Sequence, residues 1–259
     1  MKATCDRAIR QAYVGLFVMY CVLTVGCGAV ANSSNVQGKR LFMAGQYSQA
    51  LQSFEKAVQQ DPQNADAYYN MAATYHKLGA SSANAQYLNQ AEVLYNECLN
   101  RNASHTDCYR GLAVLLVETN RKDKAFTLLR GWNAAEPRST DPKLELARLY
   151  KEFGDTQTAS DLVVDAIKQN PRDARANRAM GMLREQQGEL NLALDSYQRA
   201  LNANSMQPDL AAKVASLQQS IATQYAGQPG ARSTQWRPPS PCRRLDATKR
   251  LRIGKTTRR

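Results

Sequence analysis

GDTQTASDLVVDAIKQNPRDARANRAMGMLREQQGELNLALDSYQRA, residues 154–200, contains one pattern nearly twice over. Gly154, Ala159, Val163, Ala166 and Pro171 form the first copy, and Gly188, Leu190, Ala193, Tyr197 and Ala200 the second. The two glycines stand 34 residues apart, and self-similarity at such a spacing marks a repeat architecture rather than one globular core. Upstream, Gly45, Tyr47, Ala50, Phe54, Ala57 and Pro62 make another copy.

The register extends over units 31–64, 65–105, 106–139, 140–173 and 174–207. Each unit reads as two antiparallel helices, because apolar residues recur at helical spacing on one stripe of each. Gly38, Ala72, Ala113, Ala147 and Gly181 hold the eighth position of the units, where a small residue lets the paired helices approach. Asp61-Pro62 and Asn170-Pro171 end units, since the residue before proline is pushed out of helical geometry. Asp141-Pro142 reads as a capping aspartate before a proline in the first helical turn. Trp132 stands where the repeat wants a small residue, which calls for local repacking. An Ala/Ser/Asn-rich insertion near 80–86 should lengthen a loop or extend a helix.

This pattern resembles the tetratricopeptide repeat. The resemblance implies an all-α fold, a right-handed superhelical solenoid of about five helix pairs spanning 31–225. A final helix from Pro208 to about Gln224 covers the end with Leu210, Val214, Leu217 and Ile221. In such proteins the first helix of each unit lines a concave groove that takes peptides or partner helices. The matching positions hold Asn35, Lys39, Tyr69, His76, Arg110, Arg148, Lys151 and Arg178. Arg175 joins them, with Asp66, Asp107, Asp141 and Glu185 opposed, so a mildly basic groove is expected. Chaperone adaptors of this kind clamp a terminal carboxylate with Lys, Asn and Arg on three units. Asn35, Lys39, Asn70, Asp107 and Gly111 stand at those places, only Asn70 agrees, and the clamp is expected to be absent.

The ends differ from the body. The net charge of +12 is concentrated there: residues 226–259 carry ten Lys or Arg against Asp246 alone. That tail, with Pro229, Pro238, Pro239 and Pro241, reads as disordered. Residues 1–27 read as an export signal, with Lys2, Arg7 and Arg10 ahead of an apolar run from Tyr13 to Val25. Thr24-Val25-Gly26-Cys27 resembles a lipobox, so Cys27 is the candidate lipidation site. Ala29-Val30-Ala31 offers ordinary cleavage after Ala31 instead. The expected location is the periplasmic face of a bacterial membrane, as a lipoprotein, or the soluble periplasm or exterior under the second cleavage.

Walker, Rossmann, HExxH and nucleophile-elbow motifs are missing from the sequence, so no catalysis and no cofactor are expected. Cys98 and Cys108 are candidates for a disulfide closing a short loop, with free thiols the other open reading. His105 lies between them, but C-x6-H-x2-C matches none of the usual zinc spacings, and no metal is expected. The partner expected is a protein in the groove, with membrane association through a lipid anchor. Nucleic acid is not expected, Trp236 being the tail's one aromatic and too little for a stacking platform. The role implied is a scaffold in an envelope assembly such as a pilus or secretion complex. The other role is an electrostatic tether acting through the tail.

Overall fold

Small residues at the helix crossings and left-handed residues at the turns set the architecture. The structure is a computed structural model and describes residues 33–226. It contains eleven helices and, among the described residues, no strand. Helix α1 covers 33–43. In chain order follow α2 (Tyr47–Gln60), α3 (Ala65–Ser82), α4 (Ala85–Arg101), α5 (Thr106–Glu118) and α6 (Lys122–Ala135). Then come α7 (Asp141–Glu152), α8 (Thr156–Gln169), α9 (Ala174–Gln186), α10 (Leu190–Ala203) and α11 (Pro208–Ala226). Among the described residues no helix is long and apolar enough to cross a membrane. The signal, Cys27 and nearly all of the tail lie outside this range.

The turn inside each of the five pairs uses a left-handed residue, a glycine in three of them: Gly45 (φ 76°), Ala83 (50°), Asn120 (59°), Gly154 (85°) and Gly188 (79°). The second pair differs. Residues 80–86 are absorbed mostly into longer helices, 18 residues in α3 and 17 in α4, joined at Ala83 with φ 50°. Helices α2 and α8 stop at Gln60 and Gln169, just before Asp61-Pro62 and Asn170-Pro171.

Within a pair, the eighth position sits under an aromatic ring or aliphatic stripe of the second helix. A Cβ on Gly181 would lie 2.5 Å from the Tyr197 ring, and one on Gly38 would collide with Phe54. Ala72, Ala113 and Ala147 serve the other pairs and are buried. On the second helices, Ala57, Cys98, Ala166 and Ala200 are fully buried at the equivalent small position. Trp132 takes that place in the third pair. It is accommodated by stacking on Tyr109, with centroids 4.1 Å apart and planes within 5°. Helix α11 closes the stack, with Leu210, Val214 and Leu217 buried against Ala193, Tyr197 and Ala200.

Successive units are also tied by polar side chains. Asn70 donates to Asn35 Oδ1 at 2.8 Å, Thr106 to Asp141 at 2.6 Å, and Thr140 to Asp173 at 2.7 Å. Asp141 therefore corrects its expected role: α7 is preceded by Thr140 with no side-chain cap, and Asp141 instead accepts Thr106 and pairs with Arg175. Asp173 does cap, accepting from the Arg175 and Ala176 N–H groups. Burial disfavours its charge, but Thr140, those N–H groups and Arg175 outweigh burial and hold the carboxyl below its ordinary value.

These contacts set the response to substitution. Gly181→Ala should destabilise by ~1–3 kcal/mol, because the Tyr197 ring is buried and its hydroxyl is held by Glu185. Gly131→Ala, in open space on α6, should stabilise by ~0.4–1 kcal/mol; urea unfolding reads both. For Asp173, the folded-state pKa lies below the unfolded one, so its contribution is present above the unfolded value and is lost as pH falls through the folded one. Asp173→Asn should therefore lower stability at neutral pH and flatten the acid limb below about pH 4. A variant with an unchanged acid limb would contradict this.

Candidate partner-binding groove

The first helices approach one another along the stack, α3 to α5, α5 to α7 and α7 to α9. The second helices α2, α4, α6, α8 and α10 make no such approach to each other. Closer spacing on one side bends the stack toward it, so the first helices form the inner wall of a groove.

Two apolar clefts open on this wall. One, of about 350 Å³, is lined by Lys39, Phe42, Met43, Phe54, Tyr69, Asn70 and Ala73. The other, of about 100 Å³, lies between α7 and α9, with Leu144, Ala147, Ala179, Met182 and Leu183, and Val163 of α8, as its apolar lining and Arg148 and Lys151 at its side. Met182 is exposed here. Arg178, also exposed, lies one helical turn before Met182 on α9.

The candidate groove residues separate into two groups. Asn35 does not reach the groove as a reader: it is 4% exposed and spent on Asn70. His76 is a strut between α3 and α5, with Nε2 2.8 Å from Glu118 and Nδ1 3.3 Å from the Tyr95 hydroxyl. Tyr69 is half-buried against Tyr95 and His105. Burial, then the Asp107 charge, raises its pKa despite the nearby Arg110, so its hydroxyl remains a hydrogen-bond donor.

Arg110 and Arg148 converge on one carboxylate. Arg110 Nε and Nη2 donate to Glu145 Oε1 at 2.9 and 2.5 Å, and Arg148 Nε donates to Oε2 at 3.3 Å. The Glu145 side chain is 6% exposed. Asp107 and Glu152 take the outer edges of the two guanidinium groups. The expected basic surface is thus neutralised at its centre. Lys39, Lys151 and Arg178 have no salt-bridge partner among the described residues and supply its remaining positive charge.

Glu145 was not visible as the hub because its partner Arg110 is 35 residues away in the preceding unit. Leu144 and Met182 occupy the fifth and ninth places of their units, the same places that nominated the cations.

Cys98, in the last turn of α4, and Cys108, in the first of α5, are joined by a disulfide with Cα atoms 6.5 Å apart. Both are fully buried. His105 caps α5 through Nδ1, which accepts the Cys108 N–H, and its Nε2 lies 3.0 Å from Asp66 of α3.

Charge reversal should distinguish the two groups of cations. Arg110→Glu/Arg148→Glu should cost about 3 kcal/mol or more, because Glu145 is left buried among like charges. Lys151→Glu/Arg178→Glu should change stability by less than about 1 kcal/mol. Equal losses in thermal or urea unfolding would refute this division.

Residues 38–79 match the family described as TPR repeat, and residues 144–208 match the one described as Tetratricopeptide repeat. Among curated proteins the chain is similar to the Drosophila melanogaster BBSome complex member BBS4 homolog, 22% identical over 67% of this chain and 36% of that protein. The Bos taurus BBSome complex member BBS4 is 23% identical over 72% of this chain and 34% of its own length. The chain thus spans about a third of the length of these relatives. Among solved structures, TTC0263, a thermophilic TPR protein of Thermus thermophilus, superimposes with a TM-score of 0.55 at 24% identity, covering 73% of this chain and 99% of that one. At this identity the likeness shows the fold. The chain is an all-helical stack that carries tetratricopeptide repeats at residues 38–79 and 144–208.

Proposed function

We propose that the protein is a non-catalytic scaffold that holds a partner polypeptide in its groove, centred on the α7–α9 cleft. The observation that carries this is an apolar cleft lined by Lys151, which has no salt-bridge partner among the described residues, with Arg178, likewise unpaired, one helical turn before the cleft's Met182. An occupant that suits it is a segment combining an aliphatic side chain with carboxylates, since the cleft excludes water from the former and the cations attract the latter. Buried apolar anchors supply most of the affinity in such contacts, and rim charges act mainly on association rate and specificity.

The setting we propose is the bacterial cell envelope, with the chain exported and anchored by lipid on Cys27, or released after Ala31. The assembly it serves is of pilus or secretion type. This part of the reading is supported by the sequence of residues 1–31 alone.

The test is a crosslinked capture from native membranes, comparing the wild type with Lys151→Glu/Arg178→Glu and with Met182→Asp. Both variants should lose the captured partner while keeping wild-type unfolding midpoints within a few degrees. Capture should persist when residues 226–259 are deleted. Identical capture by all forms would remove the groove from the function, and loss only on tail deletion would leave the basic tail acting as a tether.

A further inference from the structure

Cys98, Cys108 and His105 form a cluster that the groove does not use. One ligand atom from each lies within 4.8 Å of the other two. The cysteines are fully buried and the His105 side chain is 10% exposed. The two cysteines come from the ends of consecutive helices, so their backbones are placed by the helices as well as by the bond between them.

His105 carries the second observation. Its Nε2 is 3.0 Å from a carboxylate oxygen of Asp66, and its ring packs against Tyr69 with centroids 5.5 Å apart. With Nε2 engaged, the nitrogen left for a ligand is Nδ1, which now accepts the Cys108 N–H over 3.3 Å. Metal-binding histidines usually hold their second nitrogen on a carboxylate in this way, which fixes the ring and raises the basicity of the ligating nitrogen.

We propose that, in the dithiol form of the protein, Cys98, Cys108 and His105 Nδ1 bind a thiophilic divalent cation of the Zn²⁺ class, with Asp66 as the outer partner of the imidazole. A dithiol reductant delivers two electrons and two protons to the Cys98–Cys108 bond, giving two thiols and its own disulfide. Zn²⁺ then displaces both thiol protons to solvent, and the two thiolates balance its charge. Zinc–sulfur bonds of about 2.3 Å and a zinc–nitrogen bond of about 2.0 Å at tetrahedral angles need ligand atoms roughly 3.5–3.8 Å apart. The cluster reaches that spacing by side-chain rotation once the sulfurs are free to separate. The fourth position is left to water. Oxidised, the same residues hold α4 to α5 covalently; reduced and metal-loaded, they hold them by coordination, and His105 exchanges its capping role for a ligand role.

Co²⁺ is the probe, because its thiolate complexes absorb in the near ultraviolet. The full chain is reduced, freed of reductant without air and titrated with Co²⁺. One equivalent should give thiolate-to-cobalt absorption that Zn²⁺ displaces, and the oxidised chain should give none. Cys98→Ser/Cys108→Ser should abolish the band, which separates this pair from Cys5, Cys21, Cys27 and Cys242. His105→Asn keeps a good helix cap while removing the imidazole, so it should stay folded and bind at least ~10-fold more weakly. Asp66→Asn should weaken binding roughly 10–100-fold. In the wild type, Zn²⁺ should also slow alkylation of both cysteines, read by peptide mass mapping. Absorption that persists in the double serine variant, equal affinity in His105→Asn, or no absorption from the reduced wild type would each overturn the site.

Discussion

Two helices of a pair can lie together only where one of them gives up most of a side chain. Gly38, Ala72, Ala113, Ala147 and Gly181 make that concession, and Phe54 and Tyr197 press into the space at the two glycines. The other contacts depend on this distance. It bears on how the next unit seats, and so on the contacts of Thr106 and Thr140 with the acids of the following unit. A single pair cannot bury its own apolar faces, so the energy of the stack is shared between neighbours and closed at the far end by α11.

The electrostatics of the inner wall follow a different logic. Arg110, Glu145 and Arg148 lie where the first helices of adjacent units converge, and they satisfy one another before any ligand arrives. One guanidinium nitrogen of Arg148 is nevertheless buried without a partner, a cost tolerated where neighbouring charges hold the group in place. The wall therefore alternates between a self-neutralised centre and clefts that each carry a cation without a salt-bridge partner among the described residues, Lys39 at one and Lys151 at the other. Apolar surface and such a cation thus coincide at both clefts.

Much of the fold could be read from residues whose constraint is local. A positive φ at Gly154 or Gly188 and a vanishing Cβ at Gly181 are demands that few residue types meet, so they show through in one sequence. The groove was less legible because its members are defined by partners a whole unit away. Asn35 and Arg110 match the groove positions, yet their side chains are committed to Asn70 and Glu145, at separations of 35 residues. Asp141 likewise carries the sequence signature of a cap but is recruited by Thr106 and Arg175. Trp132 broke the small-residue rule visibly; that Tyr109 would take its face could be known only from the stacking geometry.

The covalent link between Cys98 and Cys108 also changes how the stack would carry load. In a chain of units held edge to edge, tension passes through each connecting segment in turn, and the weakest junction yields first. Here the short segment around Asn102 and Ser104 is bypassed, because the bond runs from the end of α4 directly to the start of α5. The second and third units are thereby held by a cross-link in addition to their packing, a tie that the junctions on either side of them lack among the described residues.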